Sequence, residues 1–385
     1  MRSYELMMET GIPNVVICNR CNKRYSVAKY AAIIRCTECK AIIPGPASME
    51  LGNQIRHALS KTKSNLHQYS FGNGGKLLKS TRPSSSSTNV SSLDTKPPYP
   101  TGNSGEAHGM KRALLCGVTY QNKKYSLKGT VNDVRRMKNL LMQRFGYRRD
   151  CIRILTEDQV DSDFMPTKKN IQDSLKWLVE GSESGDSLVF YFSGHGLRQP
   201  DFNDDEKDGF DETICPVDFM QEGMILDNEI NSTIVRPLKK GITLHAIVDA
   251  CHSGTVLDLE YIYDPHNDIW NDNKPPSKAD KSTSGGLAIC LSACGDDQMA
   301  SDTSAFTGKE MTGAMTFILI HIVENVPEIT YGGLLNQMHA CIEQVNNKRC
   351  LSVPCLRKLF GRRKIENPML SSSQEFPVYS KKFLL

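Results

Sequence analysis

Residues 187–196 read SLVFYFSGHG, and residues 244–254 read LHAIVDACHSG. In each segment an apolar run leads into a glycine-containing turn with one reactive side chain, His195 in the first and Cys251 in the second. Apolar runs of this length are typical of strands buried on both faces of a parallel sheet. Because open α/β sheets keep their sites at the carboxyl ends of the strands, we expect the two turns to lie side by side.

A thiol beside an imidazole forms a nucleophile with its base, because a neutral cysteine is mostly protonated at pH 7 and the imidazole takes up its proton. The pair therefore predicts a cysteine peptidase. No third catalytic residue is evident from the sequence. The alternative is that Cys251 is one buried thiol among thirteen cysteines and His195 is a hydrogen-bonded core histidine.

The composition indicates a globular protein with additional segments. Its 385 residues, 39% of them hydrophobic, are enough for one large domain with attachments. A net charge of +4 does not favour nucleic-acid binding, which needs basic side chains concentrated on one face. The sequence predicts no membrane span, and thirteen cysteines without a signal segment indicate a reducing compartment, cytoplasmic or nuclear.

Three compositional regimes predict the domain organisation. A cysteine-bearing module at 1–50 is followed by a polar, Ser/Pro-rich segment at 51–109 and by a peptidase domain at 110–385. The middle segment has too little apolar surface to offset the entropy of ordering it, so we expect a disordered, flexible linker. The peptidase domain is predicted to divide into a large part at 110–263, a loop at 264–285 and a small part at 286–385.

Apolar strand patterns and helical spacings alternate from Lys111 onward. Strands are predicted at 112–118, 151–155 and 287–292 and before His195 and Cys251, and helices at about 131–141, 171–179, 312–323 and 331–345. Such a βαβ series predicts an α/β fold in which helices flank both faces of a sheet of mainly parallel strands. A basic segment at 348–364 is either a solvated loop or a self-cleavage site.

The sequence resembles the caspase-like cysteine peptidases, and among them the metacaspases of plants, fungi and protozoa. The resemblance covers nearly all of 111–385 and is carried by SGHG, by DACHSG and by the 56 residues that separate His195 from Cys251. Asp249 stands where caspases have glutamine, which favours the metacaspase branch. The resemblance implies that Cys251 attacks the scissile carbonyl and that His195 acts as base and then as acid. It also implies an oxyanion site made by backbone N–H groups at Gly196 and Cys251.

The resemblance further implies cleavage after arginine or lysine. The pocket residues of metacaspases match Asp133, Ser193 and Asp249, and a buried cation needs carboxylate partners of this kind. Thr130 stands where the family usually has cysteine. Taken alone, Asp133 also fits a first-turn helix acid favoured by the macrodipole, and Asp249 fits a structural hydrogen-bond acceptor.

Residues 201–212 read DFNDDEKDGFDE, a dense acidic loop that is either solvated or bound to a hard cation. The resemblance implies a calcium site at Asp211, Asp227 and Asp258, with Asn228 in place of a fourth family aspartate. We therefore expect calcium to activate the enzyme, with an affinity lowered by the missing charge.

The first module carries two CxxC pairs, Cys18/Cys21 and Cys36/Cys39, with 14 residues between them. Four thiols in this pattern predict a structural zinc site in a zinc-ribbon-like module, with a redox dithiol pair as the alternative. The spacing resembles the small zinc finger of plant lesion-simulating-disease proteins. We expect the module to recruit protein partners or to restrain the peptidase, because its basic residues are too few for a strong nucleic-acid case.

The combined features resemble a type I metacaspase of plant kind, because the loop at 264–285 is too short for type II. This implies a calcium-activated endopeptidase with autoprocessing and a role in cell-death or stress signalling. The competing hypothesis is a zinc-finger scaffold or regulator whose peptidase domain is weakly active.

Overall fold

The computed structural model describes residues 14–18, 20–27, 33–39, 42–44, 109–203, 205–207, 209–251, 253–293, 302–303, 312–346 and 367–385. The predicted linker, apart from Gly109, lies outside the described residues, as does the basic segment at 348–364. Within the described ranges, no helix combines the length and the hydropathy that a membrane crossing requires.

The amino-terminal cysteines lie in turns between short antiparallel strands. β1 (Asn14–Ile17) pairs with β2 (Arg24–Val27), and β3 (Ile33–Arg35) pairs with β4 (Ile42–Pro44). One CxxC pair follows β1 directly, and the other follows β3. Each ribbon therefore presents two thiols from one tight turn.

The remaining described chain contains thirteen strands. They are β5 (Lys111–Gly117), β6 (Ile152–Thr156), β7 (Ser187–Ser193), β8 (Gly196–Pro200), β9 (Phe210–Ile214), β10 (Ile225–Leu226), β11 (Thr243–Asp249), β12 (Tyr261–Asp264), β13 (Ile269–Asp272), β14 (Leu287–Ser292), β15 (Asp302–Thr303), β16 (Thr312–Gly313) and β17 (Met369–Ser372). Eight of them form the main sheet in the order β13-β12-β17-β14-β11-β7-β5-β6.

The centre of the main sheet is parallel, as predicted. Strands β14, β11, β7, β5 and β6 run in one direction, and β17, β12 and β13 add antiparallel pairs on one side. Nearly every residue of β5, β7 and β11 is buried, which is the burial that a continuous apolar run indicates. The range 264–285 contains β13 besides loop, because this short and mostly exposed edge strand has little apolar signal in the sequence.

Helices cover both faces of the sheet, which confirms the predicted fold class. The helices are α1 (Thr130–Arg144), α2 (Lys168–Val179), α3 (Phe219–Glu222), α4 (Asp227–Ile230), α5 (Ala314–Asn325) and α6 (Tyr331–Asn346). On one face α1, α5 and α6 bury residues such as Met137, Leu319 and Met338. On the other face α2 buries Ile171 and Leu175 with the π-helical turn that follows α4.

A small antiparallel sheet stands at the carboxyl edge of the main sheet. Its strand order is β10-β9-β8, and β8 starts at Gly196, three residues after β7 ends. The acidic segment at 201–212 connects β8 to β9 and continues into β9. The short elements from β8 to α4 were not predicted, because two- to five-residue elements carry too few periods for a sequence pattern.

Candidate active site

The turns that carry His195 and Cys251 are in direct backbone contact. Ser193 at the end of β7 pairs with Asp249 at the end of β11. A Cβ atom placed on Gly196 would lie 2.0 Å from the carbonyl oxygen of Cys251, so only glycine allows this approach. The structure therefore brings together the two turns predicted from the sequence. Cys251 is 9% exposed.

The imidazole of His195 is held by groups that the sequence did not reveal. Its Nε2 atom lies 2.7 Å from the backbone carbonyl oxygen of Tyr125. Because a carbonyl only accepts hydrogen bonds, Nε2 carries a proton, and Nδ1 of the neutral ring is left to take a proton from a thiol. No side-chain pattern could have identified Tyr125, since it acts through its backbone.

Tyr120 contacts the same histidine through a hydrogen bond and through its ring. Its hydroxyl accepts a hydrogen bond of 2.9 Å from the backbone N–H of His195 and donates one of 2.6 Å to the carbonyl of Cys215. The ring centroids of Tyr120 and His195 are 4.7 Å apart. One buried tyrosine thus fixes both the backbone and the ring of the histidine.

The predicted pocket residues Asp133, Ser193 and Asp249 lie close together at the edge of the sheet. The Asp133 carboxylate accepts hydrogen bonds from the Ser193 hydroxyl at 3.2 Å, from the Gly313 N–H at 2.9 Å and from the Thr312 hydroxyl. A Cβ atom on Gly313 would lie 2.1 Å from Asp249 Oδ2 and 3.1 Å from Asp133 Oδ2. Gly313 therefore lets two carboxylates converge on one point.

Asp249 also binds the start of helix α5. Its Oδ2 atom accepts hydrogen bonds from the Thr316 N–H at 3.0 Å and from the Thr316 hydroxyl at 2.6 Å. This is the usual interaction of a carboxylate with the free N–H groups at a helix amino terminus. Asp133 lies in the first turn of α1, so both aspartates also have the structural role named as the alternative.

The two pocket carboxylates repel each other. Asp133 is 1% exposed and Asp249 is 5% exposed. Burial, and then the charge of Asp249, raise the pKa of Asp133 to about 8, against the effect of the hydrogen bonds from Thr312, Gly313 and Ser193. Near neutral pH the pair therefore retains a proton. The unusual pocket residue Thr130 is buried, with its hydroxyl 3.1 Å from that of Thr119.

The predicted calcium ligands lie in two adjoining acidic groups. Carboxylate oxygens of Asp201, Asp205 and Asp211 come within 4.8 Å of one another, and so do those of Glu206, Asp227 and Asp258. Among the described residues, Oδ1 of Asp205 and Oδ1 of Asp211 are buried without a hydrogen-bond partner. Hard oxygen donors of this kind fit a calcium ion. The sequence analysis predicted the acidic loop but did not single out Asp201, Asp205 or Glu206.

A lysine that the sequence analysis missed joins the two acidic groups. Lys281 Nζ lies 2.7 Å from Asp205 Oδ2, 2.7 Å from Asp258 Oδ2 and 3.4 Å from Glu206 Oε1. It also donates a hydrogen bond to Oδ1 of Asn228. Lys281 is 6% exposed, although it lies in the segment predicted to be a loop.

The acidic site retains an excess of acidic groups in spite of this lysine. Burial, and then hydrogen bonding and charge from Asp258, raise the pKa of Glu206 to about 10. Burial, and then the charge of Asp258, raise the pKa of Asp227 to about 10. One ammonium is therefore too little positive charge to keep these acids ionised.

The acidic site is connected to the cysteine turn through a short stretch of backbone. Asp258 lies seven residues after Cys251, in the left-handed region with a φ of 51°. Its N–H donates to the carbonyl of Thr255 at 2.6 Å, and the Thr255 hydroxyl donates to Glu212 Oε2 at 2.6 Å. The backbone from Thr255 to Asp258 therefore connects the cysteine turn to the acidic site.

The four cysteines of the first module also converge. Their sulfur atoms lie within 4.8 Å of one another, with Cys18 Sγ 3.5 Å from Cys39 Sγ and Cys21 Sγ 3.4 Å from Cys36 Sγ. Four thiolates at Zn–S distances of about 2.3 Å stand roughly 3.8 Å apart at the corners of a tetrahedron, so the cluster fits zinc. Although desolvation raises it, hydrogen bonds led by the Cys39 N–H and the Tyr25 hydroxyl lower the pKa of Cys36 to about 5.

Comparisons with known proteins identify relatives of this chain. Residues 111–260 match the family described as "Metacaspase, peptidase C14 domain". The chain is 45% identical to Metacaspase-1 of Arabidopsis thaliana over 299 residues, which are 74% of this chain and 82% of that protein. It is 47% identical to Metacaspase-3 of the same plant over 72% of this chain and 76% of that protein.

More distant relatives include Metacaspase-1 of the yeast Yarrowia lipolytica, which is 37% identical over 60% of this chain and 58% of that protein. Among solved structures, a protein of Geobacter sulfurreducens superimposes with a TM-score of 0.46 at 20% identity. That superposition covers 71% of this chain and 97% of the other.

Proposed function

The chain belongs to the metacaspase family of cysteine peptidases, and on this basis we propose that it cleaves proteins after arginine or lysine through Cys251 and His195, with calcium as activator. The observation that supports the catalytic pair most directly is the contact between Gly196 and the carbonyl of Cys251. It joins the two turns at the end of paired strands, where α/β sheets carry their chemistry.

In the proposed reaction His195 Nδ1 takes the proton of Cys251, and the thiolate attacks the scissile carbonyl carbon. The Tyr125 carbonyl keeps the other ring nitrogen protonated and stabilises the imidazolium that forms. The imidazolium then gives its proton to the leaving amine, and a water molecule hydrolyses the acyl-enzyme. Backbone N–H groups at Gly196 and Cys251 are the proposed oxyanion donors, each worth roughly 3 kcal/mol in comparable enzymes.

The proposed specificity depends on the Asp133–Asp249 pair. A bound cation would relieve the repulsion between these two buried carboxylates. The guanidinium of arginine can bind both oxygens of a carboxylate at once. In the absence of substrate the donors of Thr312, Gly313 and Thr316 occupy these carboxylates. Because a neutral N–H or hydroxyl offsets less charge than a guanidinium, an arginine side chain is expected to displace some of these bonds.

Peptide cleavage by the purified chain tests both statements. Fluorogenic peptides with Arg, Lys or Asp at P1 are compared in calcium and in chelator. We expect cleavage of the Arg and Lys peptides only, with loss of activity in Cys251→Ala and normal activity in Cys151→Ala, a cysteine at the opposite end of the sheet. Cleavage of the Asp peptide without cleavage of the Arg peptide would overturn the specificity.

Calcium activation is supported by the short stretch of backbone that connects Cys251 to Asp258 in the acidic site. Asp211, Asp227, Asn228 and Asp258 would hold the ion, which supplies the positive charge that the carboxylates lack. With that charge present, Asp258 and the bond from Thr255 to Glu212 hold the turn after Cys251 in one conformation. Equal peptidase activity in chelator and in millimolar calcium would contradict this proposal.

The amino-terminal cysteines are proposed to bind one structural zinc ion, and the module they form is proposed to bind protein partners. The metal content of the purified full chain tests the first statement. We also propose a cytoplasmic or nuclear location, on the argument from thirteen cysteines. Autoprocessing and a role in cell death remain proposals from family membership, and the candidate cleavage segment at 348–364 lies outside the described residues.

A further inference from the structure

Lys281 places its ammonium among the side-chain oxygens of the acidic site. Its ammonium has four oxygen-bearing neighbours, namely the side chains of Asp205, Glu206, Asn228 and Asp258. Two of these, Asn228 and Asp258, belong to the set proposed to hold calcium. A calcium ion bound to the same oxygens at about 2.3–2.6 Å would need the position that the ammonium fills.

One ammonium does not satisfy this site. Six carboxyl groups belong to the two acidic groups around it. Among the described residues, one oxygen each of Asp205 and Asp211 is buried and has no hydrogen-bond partner. These unpartnered oxygens are a second observation, independent of the acidic cluster, that the site is built for more positive charge than a lysine provides.

We propose that Lys281 is a tethered cation that competes with calcium, so that calcium binding requires the lysine side chain to leave the acidic site. This inference rests on the proposed calcium activation and extends it, because it names the group in this chain that sets the calcium affinity. In the absence of calcium the ammonium limits repulsion among the carboxylates. When calcium binds, the stronger charge replaces it.

The lysine also anchors the segment between β13 and β14. The neighbouring bonds from Ser284 N–H to Arg236 O and from Gly286 N–H to Leu238 O hold the end of this segment, next to β14. Lys281 itself is fixed by its side chain and by its carbonyl, which accepts from Asn231 Nδ2 at 3.2 Å. Displacement of the side chain would therefore expose a lysine that is buried in this structure.

Calcium titration of the full chain tests the competition. Both proteins carry Cys251→Ala to prevent self-cleavage, and binding is measured by isothermal titration calorimetry. We expect Lys281→Met to lower the Kd for calcium at least tenfold, because methionine keeps much of the apolar stem and removes the charge. Lys278→Met, in the same segment but exposed, is the matched control and is expected to leave Kd unchanged. An equal or weaker affinity in Lys281→Met, or no calcium binding by it, would overturn the inference.

A second measurement needs no substitution at Lys281, in case Lys281→Met fails to fold. Lysines of the Cys251→Ala protein are labelled with an amine reagent in chelator and in saturating calcium, and the sites are read by mass spectrometry. We expect Lys281 to be protected in chelator and labelled in calcium. A calcium-bound protein in which Lys281 stays protected would show that lysine and calcium coexist, against the proposal.

The outcomes separate this inference from the proposed activation. Tight calcium binding by Lys281→Met together with no binding by the parent protein supports the tethered cation and contradicts calcium activation of the natural chain. Calcium-stimulated peptidase activity together with equal calcium affinities of the two proteins supports calcium activation and contradicts the tethered cation.

Discussion

Raising the pH from 6 to 8 is expected to improve cleavage after arginine much more than cleavage after citrulline, a neutral residue of nearly the same shape. Burial and the charge of Asp249 raise the pKa of Asp133 to about 8, so this carboxyl is mostly protonated at lower pH. A raised pKa means that the ionised form appears only as the pH approaches 8. Because a guanidinium favours the ionised form, binding of arginine below that pH must expel a proton.

The size of the effect follows from the ionised fraction. For a pKa of about 8, Asp133 is ionised to ~1% at pH 6 and ~50% at pH 8. If binding needs the ionised form, the ratio of kcat/KM for arginine to that for citrulline rises by up to roughly 50-fold over this interval and levels off above it. Taking the ratio cancels the ionisations of Cys251 and His195, which affect both substrates alike.

The assay uses two fluorogenic peptides that differ only at P1, measured from pH 5.5 to pH 9 at constant ionic strength and saturating calcium. Asp133→Asn is the matched variant, because an amide has nearly the same shape and does not titrate. Its ratio is expected to lose the rise with pH. A ratio that stays flat in the unsubstituted enzyme between pH 6 and pH 9 would refute the argument that Asp133 must lose a proton to bind arginine.

Three further predictions concern the supporting parts of the molecule. Gly196→Ala is expected to lower kcat/KM by about 100-fold or more, because its Cβ would lie 2.0 Å from the Cys251 carbonyl oxygen and shift the thiol; unchanged kinetics would contradict the described contact. Tyr120→Phe leaves the His195 N–H and the Cys215 carbonyl without partners, so urea unfolding should report a loss of about 1–3 kcal/mol, and equal stability would argue against it. Removal of metal from the first module by a strong chelator is expected to release one zinc ion per chain, and a metal-free preparation with an unchanged near-ultraviolet spectrum would oppose a structural zinc.

The long, regular elements of the fold could be predicted from the sequence. The strands before His195 and Cys251 are continuous apolar runs buried on both faces, and such runs are typical of the central strands of a parallel sheet. Helix α1 was predicted at about 131–141 from apolar residues at helical spacing, and it ends at Arg144, two residues before Gly146 with its φ of 70°. The short strands of the second sheet and β13 could not be predicted, because their residues pair through tertiary contacts and have no pattern of their own.

In the candidate site, too, some residues could be predicted from the sequence and others could not. His195 and Cys251 are identified by their side chains and by the turns that follow buried strands, whereas Tyr125 contributes a backbone carbonyl that any residue could supply. Lys281 is one of many lysines in the sequence, and nothing local distinguishes it from Lys278 three residues earlier. Its partners come from segments 23–76 residues away in the chain, so only the folded structure reveals its role.

The strand order has a consequence for any cut between β13 and β14. The first fragment would end after β13 and the second would start before β14, yet β17 of the second fragment lies between β14 and β12, and β14 itself pairs with β11. The strands β17 and β14 of the second fragment thus lie between β12 and β11 of the first. Separation of the fragments has to break the backbone hydrogen bonds on both sides. A nicked enzyme is expected to migrate as one particle in native chromatography and to come apart only in denaturant.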